Sequence, residues 1–149
     1  MQEQQVVSSN QQERDVFGFA YRNGIASIQG LFIRDNKLLG SKSFYPKVPA
    51  QSSDAEVFQS FVLQFYLAGN KIIPQQIVIP CELEEQTAIE DMLTKEAGRK
   101  IQFYKGVRDE KRRYLDLANT NAETALESRQ NHQNSSFARY IELQPISEF

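Results

Sequence analysis

Residues 15–21 read Asp15-Val16-Phe17-Gly18-Phe19-Ala20-Tyr21, and the run is apolar at nearly every position from Val16 onward. Polar residues do not alternate with apolar ones, so the stretch suits a strand covered on both faces in the middle of a sheet. Arg22-Asn23-Gly24 follows, and Asn-Gly accepts the positive φ that a two-residue hairpin needs. A second strand, Ile25–Arg34 (IASIQGLFIR), therefore folds straight back on the first. Asp35-Asn36 makes another tight turn, and Lys37–Pro46 (KLLGSKSFYP) returns as a third strand. Ser41, Lys42 and Ser43 make that strand polar, which suits an edge where lysine discourages pairing with other chains. Gly30 and Gly40 are weak points where a bulge is expected. The first third of the chain is an antiparallel meander.

Composition bounds the rest. The chain of 149 residues fits one domain with a core of ordinary size. Apolar residues make up 40% and aromatics 11%, which argues against global disorder. A net charge of −2 supplies no whole-chain attraction to nucleic acid or acidic membrane, so such binding would need a local patch. One cysteine, Cys81, excludes an intrachain disulfide and a cysteine-rich zinc site. No apolar stretch approaches the roughly 20 residues of a membrane span, and the Gln-rich start is not a signal peptide. The expectation is a soluble, cytoplasmic protein.

Residues 1–14 (MQEQQVVSSNQQER) are polar and read as a leader or linker. The loop 47–53 ends at Ser52, Ser53 and Asp54, any of which suits a helix cap. In the helix 55–68, Val57, Phe58, Phe61, Val62, Phe65 and Tyr66 keep the spacing of one buried face. Gly69 is its expected terminator. Gln76–Pro80 (QIVIP) is a short apolar strand, expected to join the sheet in parallel beside the first. A second helix spans 84–97, with Ala88, Ile89, Met92, Leu93 and Ala97 as its seam. A fifth strand, 100–105 (KIQFYK), lies nearer an edge, and a third helix covers 109–129. Its seam of Tyr114, Leu115, Ala118, Ala122, Ala125 and Leu126 is mostly small, which predicts close packing. Residues 130–149 read as a tail, partly ordered at most. The order β-β-β-α-β-α-β-α predicts an α/β fold with a mixed five-stranded sheet in order 3-2-1-4-5 over residues 15–129. That is the ribonuclease H-like arrangement, a likeness of fold that licenses no activity by itself.

Four stretches carry a more specific likeness: Leu31–Pro49, Phe61–Gly69 (FVLQFYLAG), Glu96–Gln102 (EAGRKIQ) and Arg112–Leu126 (RRYLDLANTNAETAL). Together, in order and spacing, they resemble the central region of the UvrC family, the dual-incision nucleases of bacterial nucleotide excision repair. The resemblance runs from about Glu3 to Arg129, and the stretch Phe137–Phe149 departs from it. It implies a module between a UvrB-contacting helical motif and the catalytic ribonuclease H-like domain. Partners implied are UvrB, the rest of UvrC and damaged DNA, with no cofactor, no small-molecule substrate and no membrane. The family's GIY-YIG nuclease, cysteine cluster and helix-hairpin-helix motifs do not occur in these residues.

Could such a module cut DNA? Two-metal hydrolysis needs several carboxylates converging within about 4 Å of paired Mg²⁺ ions. A nuclease of this fold carries one on its first strand, yet that strand offers Phe19 or Ala20 in its place, and Asp15 lies at its start. Glu56, Glu82, and Asp116 or Glu123 remain, so a residual metal-dependent nuclease on Glu56, Glu82 and Asp116 is the competing reading. The expectation is no catalytic and no metal residue. His132, the sole histidine, has no nucleophile placed beside it by any motif. Cys81 reads as a small residue at a strand end. The patch with chemical promise is Lys105, Arg108, Lys111, Arg112 and Arg113, five cations at a strand-to-helix junction. It suits phosphate contact, although Asp109 and Glu110 dilute it, and a protein partner or plain solvated surface stays open. Arg34, Lys37, Lys42 and Lys47 form a weaker basic set around the second hairpin.

Overall fold

A computed structural model describes residues 13–68, 72–106 and 108–143, of which 132–143 are described as backbone only. Its elements are β1 (Arg14–Arg22), β2 (Ile25–Arg34), β3 (Lys37–Phe44), α1 (Asp54–Leu67), β4 (Gln76–Val78), α2 (Gln86–Ala97), β5 (Gln102–Tyr104) and α3 (Asp109–Leu143). The sheet has the order β3-β2-β1-β4-β5, as the sequence predicts. β1 pairs antiparallel with β2 along its whole length and parallel with β4 over Arg14–Val16.

Both hairpin turns form where the asparagines predict, with positive φ at Asn23, Asp35 and Asn36. The register of β2 and β3 slips beside Gly40: Phe32 pairs with Gly40 and Ile33 with Leu38, leaving Leu39 as the extra residue of a bulge. Every residue of β3 from Lys37 to Ser43 is exposed, as befits an edge.

Helix α1 begins at a complete capping box. The Glu56 N–H donates to Ser53 Oγ at 3.2 Å, and the Ser53 N–H donates to Glu56 Oε1 at 2.8 Å. Its predicted stripe faces the sheet, with Val57, Phe58, Phe61, Val62 and Tyr66 buried. The stripe closes around Phe17 of β1, whose ring meets Phe32, Phe58, Phe61, Phe65 and Tyr66 edge-on at 5.6–6.5 Å between centroids. Alternate β1 residues face the other way: Val16 packs with Leu115 and Ala118 of α3, and Ala20 with Ala122 and Leu126. So β1 is covered on both faces, by α1 on one and α3 on the other.

Three expectations need correction. Helix α2 starts at Gln86 and buries only Ile89 and Leu93 fully; Ala88 is exposed and Met92 is 45% exposed, so the seam is narrower than its apolar spacing suggests. Helix α3 does not stop at Arg129 but continues to Leu143, through residues expected to form a tail. Gln is a good helix former, Asn and Ser are weak ones but not breakers, and no Gly or Pro intervenes before Pro145. Finally, β1 begins at Arg14, so Asp15 lies within the strand and is 1% exposed. Gly69, the predicted terminator of α1, lies outside the described residues, as do residues 1–12 of the expected leader.

Candidate nucleic-acid interface

The later half of β1 is where a nuclease of this architecture would present its first carboxylate. Phe19 is there instead, its ring 5.6 Å from that of Phe58. Ala20, on the opposite face, is buried against α3. β4 accompanies β1 only as far as Val16, so beyond that point the backbone needs another partner. Asn119 of α3 supplies it, accepting the Phe19 N–H on Oδ1 at 3.0 Å. Replacing Asn119 by leucine should leave that half-buried donor unpaired and cost about 1–3 kcal/mol. Urea unfolding tests this, and a variant as stable as its parent would remove Asn119 from the account.

The three acids of the competing nuclease reading are each occupied elsewhere. Glu56 belongs to the α1 capping box. Glu82 lies 3.7 Å from Lys105, and Asp116 lies 3.6 Å from Arg112 along one helix face. Among the described residues no group of three or more His, Cys, Asp or Glu side chains could hold a metal ion. Among the described residues, then, these acids are not gathered as a two-metal centre requires. Glu123, the other acid on α3, pairs with Arg22 at 3.4 Å.

Asp15 is the one carboxylate that β1 carries into the interior, and it has a different task. Tyr66 Oη donates to its Oδ2 at 2.6 Å, and Arg34 Nη1 donates to its Oδ1 at 2.9 Å. The Arg34 guanidinium also reaches the carbonyls of Arg14 and Ile33. Burial pushes the Asp15 carboxyl above its ordinary value, against the pull of Tyr66 and Arg34 in the other direction. Burial, with the Asp15 charge beside it, pushes the Tyr66 phenol well up. Both groups are thus held as a buried hydrogen-bonded set. Of the weaker basic set, Arg34 is consumed by this ion pair.

The five cations singled out by the sequence come together at the start of α3 but differ in freedom. Gly106, at φ 66, turns the chain into the helix where a Cβ would meet Val78 at 2.8 Å. Lys105 and Arg112 hold the ion pairs with Glu82 and Asp116 already described. Lys111 lies 4.9 Å from the centre of the Tyr104 ring. Burial, then the nearby Arg14, pulls its ammonium below the usual lysine range. Arg14 itself is buried, its Nε donating to Gln76 Oε1 at 2.9 Å, with Glu110 at 3.7 Å. Arg108 and Arg113 are exposed, and neither side chain has a partner among the described residues. Sequence reasoning missed Arg14, because its burial and its approach to α3 are long-range facts.

Cys81 is half-buried, and burial, with Asp54 adding to it, raises its thiol; it is a poor nucleophile. The side chain of His132 lies outside what is described. No helix among the described residues is long and apolar enough to cross a membrane.

Comparison with known proteins places this geometry. The "UvrC Ribonuclease H-like domain" family matches residues 13–129. UvrABC system protein C of Pseudoalteromonas atlantica is 78% identical over 149 residues, covering 100% of this chain and 24% of that protein. The Idiomarina loihiensis protein of the same name is 42% identical, covering 99% of this chain and 24% of its own length. The Yersinia enterocolitica one is 44% identical over 97% of this chain and 24% of its own length. The chain thus spans about a quarter of the curated relatives it matches. A solved Ciona intestinalis endonuclease V–DNA complex aligns over 48% of the chain and 35% of its own, at 12% identity and a TM-score of 0.34, too slight a likeness to build on. With a family match over residues 13–129 and a sheet in the ribonuclease H order, this chain belongs to the UvrC family, as its ribonuclease H-like domain.

Proposed function

We propose that the chain is a non-catalytic module of a UvrC excinuclease in bacterial nucleotide excision repair. In this reading it positions the adjacent nuclease domain and contacts damaged DNA, with UvrB as the protein partner. The observation that carries the reading is the later half of β1, which is clad in hydrocarbon on both faces by Phe58 on one side and Ala122 and Leu126 on the other. The relatives' shared name, UvrABC system protein C, supports the repair setting. DNA contact uses the α3 junction. Arg108 and Arg113 reach phosphate first, being uncommitted. Lys105 and Arg112 follow by exchanging exposed ion pairs, which are worth at most about 1 kcal/mol each. Lys111, half-buried over Tyr104, holds the junction in place.

The experiment pairs binding with cleavage. The double variant Arg108→Glu, Arg113→Glu should weaken binding to a lesion-bearing duplex, read by fluorescence anisotropy. It should also flatten the dependence of log affinity on log salt by about two, roughly one for each phosphate no longer neutralised. A slope equal to that of the parent would remove the junction from DNA binding. Nicking of the duplex by the purified chain in Mn²⁺, abolished by a chelator, would overturn the non-catalytic reading.

A further inference from the structure

A second site lies on the α1 face of the sheet. It is an open cavity of about 450 Å³ beside the β2–β3 hairpin, within the roughly 300–1,000 Å³ of typical ligand pockets. Two of its lining residues, Phe32 and Phe65, are stacked on each other, inclined by only 10° with centroids 6.2 Å apart. Lys42 stands on its rim, exposed, its ammonium 5.5 Å from the Phe44 ring and without an acidic partner among the described residues. The inner end is the ion pair of Asp15 and Arg34. Ile72, 71% exposed, closes the outer edge.

These features select a ligand with a flat π-face and an attached anion. A stacked aromatic pair at the cavity is a platform that a planar ring can extend. The uncompensated ammonium of Lys42 suits a phosphate. The Asp15 carboxylate is buried and already held by Tyr66 and Arg34, so it closes the inner end without selecting among bases. An aliphatic peptide would use the walls and leave the cation idle. We propose that this cavity takes one unpaired nucleotide of a DNA strand, its base against Phe32 and Phe65 and its phosphate on Lys42. A base within a duplex could not enter, so the site reads single-stranded or opened DNA. The inference rests on the nucleic-acid reading above but uses a different surface.

The chain has no tryptophan, so Ile72→Trp places a single tryptophan, excited selectively beyond the tyrosine band, at the cavity edge. Titration with thymidine monophosphate and with an oligothymidylate should give saturable quenching, tighter for the oligomer. Adding Lys42→Glu should weaken it about tenfold, and Arg108→Glu with Arg113→Glu should leave the monophosphate titration unchanged. Anisotropy of a labelled oligothymidylate with the parent, Lys42→Glu and Phe32→Leu proteins repeats the test without the tryptophan; both variants should bind more weakly. Overturning results are the absence of saturable binding in both formats, binding indifferent to Lys42, or quenching by an acidic aromatic peptide but not by nucleotides. If the cavity binds while the α3 double variant keeps its duplex affinity and salt slope, the junction fails and the cavity stands. If the double variant loses duplex binding while the cavity stays silent, the cavity alone fails.

Discussion

Gly18→Ala is expected to lower the unfolding free energy by about 3 kcal/mol, the upper end of what overpacking ordinarily costs. A methyl at that position would collide with the Ala118 carbonyl carbon and oxygen and with the Asn119 nitrogen. All three are backbone atoms, so no rotamer change relieves the clash. The helix must lift from the strand, and Leu115, Ala118, Ala122 and Leu126 come away from the sheet together. Gly18→Val should prevent folding. Gly40→Ala is the control, because a Cβ there meets nothing within 4 Å, and it should change stability by less than about 0.5 kcal/mol. Urea midpoints at constant m compare the three. A Gly18→Ala protein within about 1 kcal/mol of its parent would show that strand and helix do not touch through their backbones.

Arg34→Met should cost about 3–5 kcal/mol at pH 7, the usual penalty for stranding one partner of a buried pair. The deficit should shrink as the solution is acidified. In the parent protein the Asp15 carboxyl already sits above its ordinary value of 3.8, with burial the largest cause and Tyr66 and Arg34 opposing it. Between 3.8 and that raised value the folded chain holds the proton more tightly than the unfolded chain. Stability from this group is therefore present on the acid side and falls as pH rises through the window. Without Arg34 the carboxyl moves higher still and the window widens toward neutrality. Asp15→Asn combined with Arg34→Met removes the charge altogether and should recover most of the deficit. Equal deficits for Arg34→Met at pH 7 and pH 5 would trace the destabilisation to the hydrogen bonds with the carbonyls of Arg14 and Ile33, and not to the ion pair.

The local features of this fold are the ones a reader of the sequence can find. Asn23-Gly24 and Asp35-Asn36 announce their turns because few other residues tolerate the dihedrals required. The aromatic stripe of α1 announces its face because helical spacing leaves one side for the core. Even the small seam of α3 foretells its close approach, realised where Ala118 meets Gly18. What stays hidden depends on residues distant in the chain. Asp15 looks like a solvated residue at the start of a strand until Tyr66, 51 positions away, and Arg34, 19 away, are brought to it. Arg14 is buried for the same kind of reason, its partner Gln76 lying 62 positions along. At the α3 junction the composition marks all five cations alike. Only the fold separates the paired Lys105 and Arg112 from the uncommitted Arg108 and Arg113.

Helix α3 is 35 residues long, about 52 Å at 1.5 Å per residue. The nine-residue β1 beneath it measures about 30 Å at 3.3 Å per residue. The helix therefore outruns the strand it lies on. It is pressed backbone to backbone on β1 at Gly18, and farther along the Arg129 guanidinium lies over the Tyr45 ring and Gln130 donates to the Arg22 carbonyl. No yielding side chain separates helix from strand at Gly18, so any tilt of the helix there must move the β1 backbone itself.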